Sequence, residues 1–99
     1  MPKGYILAEV EITDPALYEQ YRSKVAATLV PYGGRFLVRG GQALRLEGDR
    51  PSRRFVVLEF DSPERAAAWY HSEEYGPVKA VRLKAATAHL FLLNGADPA

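Results

Sequence analysis

The residues best suited to chemistry gather around one segment, Tyr32-Gly33-Gly34-Arg35-Phe36-Leu37-Val38-Arg39-Gly40-Gly41, in which two arginines alternate with apolar residues between two glycine pairs. A guanidinium is a rigid fork of donors suited to a carboxylate or an enolate. A strand period of two puts Arg35, Leu37 and Arg39 on one face and Phe36 and Val38 on the other. Arg39 is the stronger ligand-binding candidate because it adjoins the Gly40-Gly41 break, and Arg35 is the second. Glu59 and His89 are the candidate proton-transfer groups, with Glu9 beside them as a further ligand contact. Burial raises a carboxyl pKa and a neighbouring arginine lowers it, while an imidazole exchanges protons near neutral pH. Each has a plainer account: the arginines pair with Glu9, Glu11 or Glu59, and His89 is a hydrogen-bonded interface residue.

A second cluster, Trp69-Tyr70-His71-Ser72-Glu73-Glu74-Tyr75, offers a pocket wall in Trp69 and hydrogen-bonding groups in Ser72 and Tyr75, which are expected to be more exposed. Core packing is the competing account of Trp69. His71 and His89 fall on different elements and do not make a metal set. The glycine pairs flank a strand, whereas a phosphate-binding glycine loop follows a strand and opens a helix. No metal or cofactor is called for.

Composition narrows the classes. The 99 residues are 47% hydrophobic and 25% charged, with a net charge of +1 from 13 basic and 12 acidic residues, interspersed rather than blocked. Such a chain is an ordinary globular one, without the basic footprint of a nucleic-acid or membrane-surface binder. With no cysteine, a disulfide scaffold, a thiol nucleophile and a thiolate metal site are excluded. The N-terminus lacks the apolar core of a signal peptide, and no apolar run approaches the ~20 residues that span a bilayer. A cytoplasmic protein of one domain over residues 1–99, with its core at about 5–95, is the expectation.

The elements that must position these residues follow from periodicity. Tyr5–Ile12 alternates as a strand with Ile6, Ala8, Val10 and Ile12 on one face. Asp14-Pro15 is a cap and first-turn proline opening a helix whose stripe is Leu17, Tyr21, Val25 and Leu29, ending near Pro31-Tyr32. Ala43–Glu47 alternates again and is expected to continue the Arg35–Arg39 strand past a bulge. Gly48–Ser52 then turns the chain back into Arg53–Phe60 as a hairpin. Ser62-Pro63-Glu64 repeats the capping device ahead of Ala66, Trp69 and Tyr70. Pro77 opens a further helix with Val78, Val81 and Ala85, Thr87–Leu93 is the last strand, and Gly95–Ala99 is a frayed tail. The order β, α, β, β, α, β is that of an α+β ferredoxin-like fold, a four-stranded antiparallel sheet with its helices on one face.

The open face then carries Tyr5, Leu7, Glu9, Glu11, Arg35, Leu37, Arg39, Phe55, Val57, Glu59, His89, Phe91 and Leu93. That surface is too apolar to be left in water, and the simplest cover is a second copy, a two-fold homodimer with sheets facing each other.

The segments Gly4-Tyr5, Asp14-Pro15, Tyr32–Gly41, Leu46-Glu47-Gly48, Val57–Ser62 and Ala68–Tyr75 resemble the DUF1330 family, a domain of unknown function in the dimeric alpha/beta barrel superfamily. The resemblance runs from about Tyr5 to Gly95. It implies a ferredoxin-like protomer closed into a homodimer, the dimeric alpha/beta barrel, usually bacterial. The mixed apolar and charged open face leads to the expectation of a small organic ligand near that face, held between sheet and helices or in the barrel. Superfamily likeness implies an alternative: a cofactor-independent monooxygenase or isomerase acting on a small aromatic or lactone, with Glu59 or His89 taking a proton and Arg39 holding the anion. Two positions depart from the family pattern: His71 stands where a small polar residue such as Asn is expected, and Asn94 where Glu is expected. If that Glu is catalytic in relatives, this chain lacks it.

Overall fold

A computed structural model describes residues 2–97. The elements run β1 (Gly4–Ile12), α1 (Pro15–Leu29), a 3-10 turn (Val30–Tyr32), β2 (Arg35–Gly41), β3 (Arg54–Phe60), α2 (Pro63–Tyr70), α3 (Tyr75–Ala85) and β4 (Ala86–Asn94). The strands form one antiparallel sheet in the order β2-β3-β1-β4, with the helices layered on one face. This is the ferredoxin-like α+β arrangement expected from the element order.

Local chemistry explains the boundaries. Asp14 accepts a hydrogen bond from the Leu17 amide at 3.1 Å, and Ser62 does the same for Arg65 at 3.1 Å, each followed by a proline at the first helical position. Alternation in β1 sends Ile6, Ala8 and Val10 into the core and leaves Tyr5, Leu7 and Glu9 half-buried on the other face. Phe60, Trp69 and Tyr75 are the largest fully buried side chains, and they lie where α2 and α3 meet β3. Gly33 takes a left-handed conformation (φ 69°) at the exit from the 3-10 turn. Gly34 passes so close to the Phe60 ring that a Cβ there would sit 2.5 Å from it, so this glycine is a packing requirement as well as a hinge.

Four expectations change. First, β2 does not alternate cleanly. Phe36 stands opposite Leu58, but Val38 stands opposite Val57 and Arg39 opposite Val56, so an extra residue, Leu37, is accommodated as a bulge. A second irregularity follows at Gly40 (φ 71°), before Gly41 pairs with Phe55. Because one extra residue reverses the parity of everything after it, Val38 joins the open face and Arg39 moves to the helix face. Second, Ala43–Glu47 is not a strand: residues 42–53 form an irregular connection, with Leu44 80% and Leu46 87% exposed, so β2 and β3 are not joined by a tight hairpin. Third, α3 begins at Tyr75, not Pro77, because the Ser72 hydroxyl accepts from the Tyr75 amide at 3.1 Å and donates to the Trp69 carbonyl at 2.7 Å. Fourth, Gly95 is tied down by its amide, which donates to the Lys3 carbonyl at 2.7 Å; Pro98 and Ala99 of the expected tail lie outside the described residues. No helix among the described residues is long and apolar enough to cross a membrane.

Candidate functional site

The reversal at Leu37 decides where the chemistry sits. Between the sheet and helices α1 and α3 lies a cavity offering about 40 Å³ to the centre of a water-sized sphere, several times the roughly 10–15 Å³ that one water takes. Its walls are Ile6, Ala8, Val10, Val25, Val56 and Leu58; Trp69 and Tyr75 are its most buried wall, and the exposed Arg22 and Arg39 stand at its mouth. Three phenols (Tyr18, Tyr21, Tyr75) and four guanidiniums (Arg22, Arg39, Arg54, Arg82) line it, and no carboxylate does.

The polar groups are connected. The hydroxyls of Tyr21 and Tyr75 share a hydrogen bond of 2.9 Å, and Nε of Arg82 donates to the Tyr75 oxygen at 3.3 Å. Burial raises the Tyr21 pKa, and the adjoining Tyr75 adds to the rise. Burial also raises that of Tyr18, against the opposing pull of Arg54, Arg22 and Arg82. Both phenols are therefore neutral donors at physiological pH. At the mouth, Arg39 lies with its guanidinium carbon 4.2 Å from the centre of the Phe36 ring, and its Nη2 donates to the Arg22 carbonyl at 2.8 Å. A Cβ at Gly40 would collide with the Arg54 side chain, so glycine there lets Arg54 fold back over the strand.

The opposite face of the sheet is built from three rows that cross all four strands. Arg35, Glu59, Tyr5 and Leu93 make the first, Val38, Val57, Leu7 and Phe91 the second, and Gly41, Phe55, Glu9 and His89 the third. Glu59 is fully engaged: Tyr5 donates to one oxygen at 3.0 Å, and Arg35 reaches the other through Nε at 2.7 Å and Nη2 at 2.6 Å. The Tyr5 hydroxyl and then Arg35 hold its carboxyl below the usual carboxylate range, the opposite of what a general base needs. Glu9 faces Arg53 at 3.6 Å and Arg50 at 3.7 Å, and Glu11 pairs with Arg53. His89 is exposed on its own protomer beside Glu9.

A depressed folded-state pKa stabilises above the unfolded value and is lost as pH falls through the folded one. Glu59 therefore contributes to stability at neutral pH, and that contribution disappears in acid, below the ordinary carboxylate range. Tyr5→Phe and Arg35→Gln are each expected to raise the Glu59 titration midpoint toward the ordinary value, as read by NMR of its carboxyl carbon. An unchanged midpoint in both variants would refute the assignment of cause.

The structure thus separates the sequence candidates into two groups. Arg39, Trp69 and Tyr75 meet at the cavity on the helix side. Arg35, Glu9, Glu59 and His89 stand on the other face. Tyr75, expected to be exposed, is completely buried, and the Ser72 hydroxyl is occupied in the turn between α2 and α3. Trp69 is 1% exposed, and its indole donates to the Thr28 hydroxyl at 2.9 Å. Sequence reasoning missed Arg54, Arg82, Tyr18 and, as a polar group, Tyr21. One signal was available: Arg82 falls between Val78 and Ala85 at helical spacing, an arginine inside an apolar stripe.

The profile of a family described as "Domain of unknown function (DUF1330)" matches residues 3–96. The chain belongs to the DUF1330 family. A comparison with curated proteins found no match. Among solved structures, this DUF1330 protein is similar to a protein of unknown function from Rhodopseudomonas palustris, at 18% identity and TM-score 0.75, covering 98% of this chain and 85% of that one. It is similar to SnoaB, a cofactor-independent oxygenase from Streptomyces nogalater, at 11% identity and TM-score 0.66, covering 99% and 97%. A dimeric ferredoxin-like protein of unknown function from Jannaschia sp. CCS1 aligns at 12% identity and TM-score 0.64, covering 92% and 97%. At these identities the likeness is one of fold.

Proposed function

We propose that this DUF1330 protein is a homodimer, closed through the open faces of its sheets, that binds a small organic molecule in the cavity between sheet and helices. The observation that carries the reading is the lining of the cavity, apolar walls with a few converging polar groups behind an exposed arginine mouth; at about 40 Å³ it is smaller than the few hundred Å³ of preformed sites, so ligand entry has to widen it between sheet and helices. Of the two locations the sequence allowed, between sheet and helices or in the barrel, this reading takes the first. Arg39, Trp69 and Tyr75 are then ligand contacts, and Arg35, Glu9, Glu59 and His89 belong to the dimer face. The dimeric Jannaschia protein of the same fold supports the assembly.

A catalytic reading has one specific support, the shared fold of the oxygenase SnoaB. On it, an electron-rich phenol bound in the cavity reacts with dioxygen and leaves as a quinone: the ring keeps one oxygen atom, and the phenol's own O–H and ring C–H hydrogens, with their electrons, reduce the other to water. Fold analogy does not establish chemistry. The test uses a variant that fills the cavity from the sheet, Ala8→Phe. A library of small aromatics and lactones is expected to contain compounds that raise the melting temperature of the wild type and leave that of Ala8→Phe unmoved. Oxygen uptake with phenols, or lactone turnover, present in wild type and absent in Ala8→Phe, selects the enzyme over the binding protein. A library with no effect on the wild type would refute the ligand reading.

A further inference from the structure

We infer that the ligand is an organic anion, a flat apolar body bearing a carboxylate or phenolate oxygen, and that Arg82 receives its charge. The inference rests on the ligand-binding reading above and adds the chemical class. Arg82 is 5% exposed, a degree of burial that a guanidinium reaches at acceptable cost only when its charge is met. Among the described residues it meets no carboxylate; its single hydrogen bond joins Nε to the Tyr75 oxygen. A guanidinium has five N–H donors, so the four on Nη1 and Nη2 are without a protein partner among the described residues. No buried side-chain nitrogen or oxygen there is both sealed and unpartnered, so these terminal nitrogens border free space, and the cavity is the space that Arg82 lines.

The neighbours extend the same charge. Arg54 lines the cavity and forms no ion pair among the described residues, and Arg39 at the mouth is held by a carbonyl and an aromatic ring, neither of which neutralises it. Among the described residues only Arg22 of the four has a carboxylate, Glu19 at 3.5 Å, outside the cavity lining. A site with uncompensated cations, phenolic donors and a tryptophan wall selects an anion with a flat apolar body over a neutral or cationic one. The apolar walls speak against a bare inorganic anion, which would leave them facing its hydration shell.

Trp69 is the sole tryptophan and a wall of the cavity, so its fluorescence reports occupancy directly. Full-length protein is titrated with benzoate, phenol above and below its pKa, the neutral isostere benzamide, and inorganic phosphate. Benzoate or phenolate is expected to change the emission saturably and raise the melting temperature, with benzamide and phosphate at least tenfold weaker. Arg82→Gln is expected to weaken the organic anion roughly 10- to 100-fold, the range of a lost charge-assisted hydrogen bond, and benzamide by much less, so that the benzoate-to-benzamide ratio falls. Should Arg82→Gln fail to fold, Arg54→Gln and the benzoate-to-benzamide ratio of the wild type decide the matter. Equal binding of benzoate and benzamide, insensitive to either substitution, overturns the anion class and leaves the ligand reading standing. Phosphate competing as well as benzoate overturns the organic part. No saturable change with any of these compounds, together with no stabilising compound in the library, overturns both.

Discussion

Replacing Leu7 by lysine is expected to turn the proposed dimer into a folded monomer. Leu7 sits at the centre of the row Val38–Val57–Leu7–Phe91, on the face of the sheet away from the helices, and is only half-buried in the protomer. Phe91 is 55% exposed, Leu93 44% and Val38 41%, so apolar side chains from two neighbouring rows stand open on this face, the kind of surface that marks an interface. The protomer is also thin, with a shortest extent of 16 Å, as two layers with one uncovered sheet must be. In a two-fold assembly each Leu7→Lys change counts twice and buries two like charges near the symmetry axis. A loss of about 4 kcal/mol or more is expected, roughly a thousandfold in the dissociation constant. Light scattering at micromolar concentration should report half the wild-type mass, with an unchanged far-ultraviolet spectrum because the helix-side core is untouched. A wild type that is already monomeric, or a variant that stays dimeric, would sink the proposed assembly.

The second large effect lies on the other side of the sheet. Trp69→Ala is expected to cost about 3–5 kcal/mol in urea unfolding, measured at fixed protein concentration because assembly contributes to apparent stability. The indole is stacked with its centroid 4.0 Å from Tyr75 and 5.7 Å from Phe60, and its N–H is the donor to Thr28, whose own hydroxyl donates to the Val25 carbonyl at 2.6 Å. Removing the ring therefore opens a hole and strips a hydrogen bond from a buried oxygen. Trp69→Phe refills most of the volume without the N–H, so it should cost about 1–3 kcal/mol and separate the two contributions. If Trp69→Ala unfolds within 1 kcal/mol of the wild type, Trp69 is not the wedge between helices and sheet that its contacts make it.

Most of the fold was legible because its signals are local. Asp14-Pro15 and Ser62-Pro63 announce helix starts through side chains that bond amides three residues on, and that chemistry needs no tertiary context. Period-two alternation placed Ile6, Ala8 and Val10 inside and Tyr5, Leu7 and Glu9 outside for the same reason. The Arg35–Glu59 ion pair was the plainer account of those residues, expected inside a dimer and found within one chain, while the Tyr5 hydroxyl that completes it was not anticipated. Where local signals misled, partner geometry was the cause. Leu44 and Leu46 alternate like a strand, yet residues 42–53 have no strand to pair with, so pattern alone could not make them one. Tyr75 looked like an exposed group until α3, starting two residues early over the Ser72 hydroxyl, turned it into the core, where its own hydroxyl meets Tyr21 and Arg82.

By itself, then, the sequence determined an α+β chain with four strands, the faces of β1, β3 and β4, the starts of the first two helices, and a second apolar face in need of cover. Tertiary structure alone decided the fate of Tyr32–Gly41. One residue too many between Phe36 and Val38, visible only against the register of β3, reversed the parity of the strand and carried Arg39 from the dimer side to the mouth of the cavity. It likewise brought Arg54 and Arg82, distant in sequence and silent in any motif, around one apolar space. Register and convergence are properties of pairs of segments, so they become readable only when the chain has closed on itself.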